Sequence, residues 1–154
     1  MRNTTMMNRE DSVSILNSLI ETSIDGEKGF LKSAEVVDDQ MLKTFFLRRA
    51  QQVKESVEEL QNIVSDLGGK PAESDSIGGF LHRRWIDLIS AITGNNSLAV
   101  LDEVERGEDV ALTAYKNAAG KDLPPVARLA VMRQLAGAQH NHDQVKQLRN
   151  YADI

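Results

Sequence analysis

Residues 11–37 read DSVSILNSLIETSIDGEKGFLKSAEVV. Within them Leu16, Ile20, Ser23, Glu27, Phe30 and Ala34 recur in steps of four and three. That spacing places them along one face of an α-helix. An unbroken alternation of fours and threes is the seam of a left-handed helical bundle. The stretch therefore predicts a bundle helix over 11–37. It also raises a question, because Glu27 sits in a row that should be apolar.

The same pattern continues along the chain. A second helix is predicted over 39–67, with Leu42, Phe46, Arg49, Val53, Ser56, Leu60, Ile63 and Leu67 in its seam. The GGKP of residues 68–71 stops it, since glycine accepts the left-handed conformation after a helix end and proline cannot continue the helix. A third helix is predicted over 76–93, with Leu81, Trp85, Leu88 and Ile92 inward. GNNS at 94–97 breaks the chain and offers cap oxygens to a fourth helix over 97–118. Its seam reads Leu101, Glu105, Glu108, Leu112 and Tyr115. Pro124 and Pro125 are placed to open a fifth helix reaching Tyr151, with Val131, Leu135, Ala138, His142, Val145 and Arg149 in its seam. Four of these helices are long, roughly 33–43 Å at the α-helical rise, and the third is shorter, about 27 Å. The predicted path is up, down, a crossover back along the bundle, down and up. Residues 1–10 are expected to form a flexible N-terminus and 11–151 one domain.

Composition narrows the function classes. The chain has 154 residues, 41% hydrophobic and 27% charged, which suits a single soluble domain. A net charge of −5 argues against general nucleic-acid binding, which needs a basic face. With no cysteine there is no disulfide framework, thiolate metal site or cysteine nucleophile. The N-terminal MRNTTMMNRE has no apolar core of a signal peptide, and no run approaches the ~18 apolar residues of a membrane span. A cytoplasmic protein without a membrane partner is expected.

The short motifs carry little chemistry. His140 and His142 lie about 200° apart on one helix, so both cannot ligate one ion; His140 is expected on the solvated face and His142 in the seam. HRRW at 82–85 is a compact basic cluster on the crossover helix, read as a solvated side. GGK lacks the upstream glycine and following Ser/Thr of a phosphate loop. The aspartates of VVDD at 36–39 are expected to mark a turn and the N-cap of the second helix. No Ser-His-Asp arrangement can be argued.

The charged seam residues are the informative ones. Glu27, Arg49, Glu105 and His142 come from four helices, and their distances from the helix midpoints agree to within about one turn, ~5 Å. Glu108 lies within that error as well, while Arg149 belongs nearer the bundle end. Two inward glutamates, a four-helix core and a crossover resemble the ferritin-like fold. Gly26-Glu27 followed by Phe30 resembles the first-helix glutamate segment of rubrerythrin-type proteins, and Gly107-Glu108 followed by Tyr115 resembles its counterpart in the second pair. More closely, LIETSIDGEKGFLKSAE, GGKPAESDSIGGFLHRRW, LDEVERGEDVALTAYKNA and HNHDQVKQLRN resemble a bacterial family of small ferritin-like four-helix-bundle proteins of unknown function. The resemblance implies an all-α ferritin-like four-helix bundle with an additional helical crossover between the two helix pairs.

A di-iron bundle needs one Glu from each of two helices and Glu-x-x-His from each of the other two. Here the fifth predicted helix has Gln139 three residues before His142, and the second has no histidine. Arg49 also opposes metal: at about 8 Å and an effective dielectric of about 20 it repels a dication by about 4 kcal/mol. The expectation is a buried ionic layer of Glu27, Arg49, Glu105 and His142, with no cofactor. The alternative is an iron or manganese site using Glu27, Glu105, Glu108 and His142, as in a metal-binding protein or di-iron-type oxidoreductase. The first reading makes the chain a non-enzymatic structural or interaction protein, stress-associated by analogy with ferritin-like relatives, and a possible homodimer. It also expects Glu27→Ala to cost a few kcal/mol by stranding a cationic partner.

Overall fold

The structure, a computed structural model, describes residues 7–74 and 97–152. They form four α-helices: α1 (Arg9–Val36), α2 (Gln40–Asp66), α3 (Ser97–Ala119) and α4 (Pro125–Ala152). No strand occurs among the described residues. The predicted crossover helix over 76–93, with Trp85 and the HRRW cluster, lies outside the described residues.

Helix ends follow local chemistry. The Asn8 side chain caps α1 by accepting from the Asp11 amide at 2.8 Å. The Met7 amide donates to the Asp122 carbonyl at 2.9 Å, tying the start of α1 to the α3–α4 turn. Residues 7–10, expected in a flexible tail, are thus part of the fold, because the cap at Asn8 starts the helix earlier than the apolar period alone suggests. Asp39 caps α2 as expected, accepting from the Met41 and Leu42 amides at 2.9 and 3.1 Å. The Lys43 ammonium donates to the Ala34 carbonyl at 2.8 Å, satisfying an acceptor at the end of α1. Pro124 accepts from the Arg128 amide at 2.9 Å, the first turn of α4.

After α2 the chain turns at Gly68, whose φ of +83° requires glycine. Gly69 then runs so close to α1 that an added Cβ would stand 2.6 Å from a Val13 methyl. Asn17 and Gln61 hold the returning strand of chain: Asn17 donates to the Lys70 carbonyl at 3.0 Å and accepts from the Ala72 amide at 2.8 Å, and Gln61 donates to the Ala72 carbonyl at 2.9 Å. The chain therefore leaves α2 along the α1–α2 groove.

α1 pairs with α2 and α3 with α4, and the α1–α3 and α2–α4 neighbours close the square. α1 and α4 run one way, α2 and α3 the other. The core is in two apolar parts. One packs Leu16, Ile20, Leu60, Val64 and Val131 together near the start of α1. The other packs Phe30, Phe46, Val100, Val104 and Val145 together near its end. Polar side chains lie between them.

Candidate functional site

The layer between the two apolar clusters is built around Arg49 of α2 and Glu108 of α3. Arg49 Nη2 and Nε donate to the same Glu108 oxygen at 3.1 and 3.4 Å. Arg49 Nη1 donates to Gln52, one turn along α2, at 2.7 Å. The guanidinium carbon stands 5.1 Å from the centre of the Phe30 ring on α1, within cation–π range. Both side chains are enclosed, at 8% and 3% exposure. Burial pushes the Glu108 carboxyl above the usual carboxylate range, and the neighbouring Arg49 charge pulls it part of the way back.

Toward the start of α1, a second polar set crosses from α3 to α2 by way of α4. The Tyr115 hydroxyl donates to Gln134 at 2.7 Å, and Gln134 donates to Glu59 at 2.6 Å and to the Ser56 carbonyl at 3.3 Å. Arg133 clasps Glu59 with both terminal nitrogens, at 2.6 and 3.1 Å. Burial raises the Tyr115 pKa, with Ser23 and Ser56 beside the phenol acting in the opposite direction. Arg133 holds the Glu59 carboxyl below its ordinary range.

These two sets border one cavity of about 520 Å³, to which all four helices contribute. Gly26 of α1 and Gly137 of α4 lie in its wall, and a Cβ added at either would meet nothing within 4 Å. The cavity exists because small residues stand where a bundle would normally place side chains.

The expected ionic layer needs correcting. Arg49 is inward as expected, but its partner is Glu108, not Glu27 or Glu105. Glu27 is only half-buried and faces the α2 side, where Lys54 and Glu58 act on it; burial, the largest influence, raises its pKa. At that level Gly26 lines the cavity instead. Val104 takes the inward position on α3, fully buried, which turns Glu105 to the flank. One Glu105 oxygen is nonetheless buried without a hydrogen-bond partner. His142 lies at the α3–α4 edge, its Nε2 2.5 Å from Asp109 and its Nδ1 3.6 Å from Asp143. His140 is exposed, as expected, at the rim of the cavity. Arg149 pairs with Asp102 toward the end of α4.

The proposed metal set is likewise dispersed. Glu108 is taken up by Arg49, Glu27 looks toward α2 and His142 toward Asp109. Among the described residues no three acidic or imidazole side chains converge as a metal site. The donor set does not fit a dinuclear centre. Sequence reasoning missed Gln134, which is buried and bridges three helices. Its signal was present, since Ala127, Ala130, Gln134 and Ala138 form a second row of threes and fours beside the one chosen.

No helix among the described residues is long and apolar enough to cross a membrane. No curated protein matches the chain. A crystal structure of a two-domain protein from Anabaena variabilis, containing DJ-1/ThiJ/PfpI-like and ferritin-like domains, is similar in fold with a TM-score of 0.75 and 13% sequence identity. The likeness covers 95% of this chain and 38% of that one, so this chain spans well under half of that protein's length. The fold is thus an all-α, ferritin-like four-helix bundle. A family model described as Domain of unknown function (DUF2383) matches residues 11–121, which takes in nearly all of α1 and the whole of α2 and α3. With well over half of its length matched, the chain belongs to the DUF2383 family.

Proposed function

We propose that this chain is a non-enzymatic structural or interaction protein, a ferritin-like bundle whose centre is held by an arginine–glutamate pair rather than by a dinuclear metal site. The observation that carries this reading is the Arg49 guanidinium in the central layer, bonded to Glu108 at 3.1 Å. A fixed cation there opposes a dication by about 4 kcal/mol at about 8 Å and an effective dielectric of about 20. It also occupies the carboxylate best placed to ligate. Around it, Gln52 bonds to Arg49, Tyr115 to Gln134, and Gln134 to a Glu59 already held by Arg133, so each of these groups is taken up within the bundle, which suits holding it in one arrangement.

A second reading, a single iron or manganese ion at the α3–α4 edge, is favoured by one observation. Glu105 Oε2 and His142 Nδ1 are both buried without a hydrogen-bond partner. Such atoms carry a desolvation cost that an ion or a water would relieve. Two groups are fewer than the four or more ligands such ions take, so this reading ranks second.

The test is elemental analysis of untagged protein after aerobic Fe(II) or Mn(II) loading and desalting. The first reading expects far less than one metal per chain. Near-stoichiometric metal, lost in His142→Ala and Glu105→Gln, would overturn it in favour of the second.

A further inference from the structure

We infer that the outward face of α4, together with the neighbouring edge of α2, is where a second copy of this chain docks about a two-fold axis. The face is apolar where a lone bundle would be polar. Val126, Leu129 and Met132 are 70%, 69% and 49% exposed. Steps of three residues turn only about 60° around a helix, so the three form one oblique stripe. Exposed Ala136 continues that face of α4 with a small side chain that does not obstruct an approaching helix.

The stripe borders an open groove between α2 and α4. Ile63 and Ala130 form its apolar floor, and Glu55, Glu58 and Glu59 stand along its α2 side. The α4 side carries the basic Arg133, 65% exposed at the side chain. One face therefore holds an apolar stripe flanked by both signs of charge, each sign on a different helix.

That arrangement is self-complementary, which is what an isologous dimer requires. Rotation about a two-fold parallel to the bundle leaves every residue at its own height. It brings α4 of each copy over α2 of the other. Arg133 lies at the height of Glu59, to which it is bonded in its own chain, so across the axis it meets the Glu55–Glu58 edge of the other copy. The stripes meanwhile cover each other's grooves. A partner with a purely basic or purely acidic helix would leave one flank of like charges opposed. The second copy satisfies both flanks at once, and this decides the occupant.

The inference goes beyond the reading of the bundle centre. It is measured separately, since metal content and self-association are independent readouts. The test is the mass of the full chain by sedimentation equilibrium at tens of micromolar. A dimer is expected. Leu129→Asp is expected to weaken it by roughly tenfold or more, the equivalent of losing one buried leucine, with an unchanged helical circular dichroism signal. A charge exchange then tests the axis. Arg133→Glu and Glu58→Arg chains should each be largely monomeric alone and form heterodimers when mixed, because the mixed pair restores opposite charges at both contacts. A monomeric parent chain, or a dimer indifferent to Leu129→Asp, would overturn the inference. Failure of the mixture to associate would overturn the two-fold arrangement that argues for a second copy.

Discussion

Two arginine–glutamate pairs join different helices among the described residues, and they are opposite in kind. Arg133 and Glu59 meet through two parallel bonds of 2.6 and 3.1 Å, yet their side chains are 65% and 35% exposed. Arg49 and Glu108 share a single oxygen at 3.1 and 3.4 Å and are almost sealed. By geometry the surface pair is the better made. By consequence the buried pair matters more, because its side chains have lost nearly all of their exposure to solvent. The two carboxyls report this difference in opposite directions. Arg133 dominates at Glu59 and lowers its pKa, whereas burial dominates at Glu108 and raises it in spite of Arg49. Distance alone does not rank ion pairs; the solvent each partner has lost does.

The comparison breaks most visibly if one partner of the buried pair is removed. Arg49→Met is expected to destabilise the fold by about 3–5 kcal/mol, because Glu108 is left enclosed and unpaired. Replacing both partners, Arg49→Met with Glu108→Leu, is expected to recover most of that loss. Urea unfolding of the two variants decides the matter. A single substitution as mild as a typical surface change, under about 0.5 kcal/mol, would mean that the pair is not sealed.

A smaller effect sharpens the comparison through pH. A carboxyl raised on folding binds its proton more readily in the folded state than in the unfolded one. Glu108 therefore contributes less to stability as pH rises from the ordinary carboxylate pKa through its folded value. Glu59 is lowered, so its contribution is present above the ordinary carboxylate pKa and lost as pH falls through its folded value. Stability measured against pH should then show opposite slopes when the parent is compared with Glu108→Gln and with Glu59→Gln. Two slopes of the same sign would mean that one carboxyl has been assigned the wrong environment.

The cavity beside the buried pair supplies the next test. Gly137→Ala adds a methyl group where nothing stands within 4 Å, and alanine is the better helix former by up to about 1 kcal/mol. A rise in melting temperature is expected. A fall would show that the wall of the cavity closes against α4 in solution.

The smallest effect concerns Glu27. Its place in the seam predicts a loss of a few kcal/mol on substitution, but its position on the α2 side near Lys54 removes that argument. Glu27→Ala is now expected to cost less than about 1 kcal/mol in the same unfolding measurement. A larger loss would return Glu27 to the central layer.

The sequence by itself determined four of the helices, the capping residues Asp39 and Pro124 that start two of them, the glycine turn after α2, and the inward direction of Arg49 and Glu108. These follow from local causes: the spacing of apolar residues, a cap oxygen within three residues of an amide, a glycine able to take a positive φ. Only the tertiary structure decided which inward groups meet. Adjacent helical residues point about 100° apart, and a seam read with a period of 3.5 drifts around a helix of period 3.6. A shift of one position therefore separates a central residue from a flanking one. That shift put Val104 inside and Glu105 at the flank, Gln134 inside in place of Leu135, and Gly26 beside the cavity in place of Glu27. The partner of Arg49 was legible as a type, a carboxylate from another helix. Its identity as Glu108 depended on the rotation of α3 about its own axis, which the packing of Val100, Val104 and Leu112 against neighbouring helices sets and no stretch of a single helix encodes.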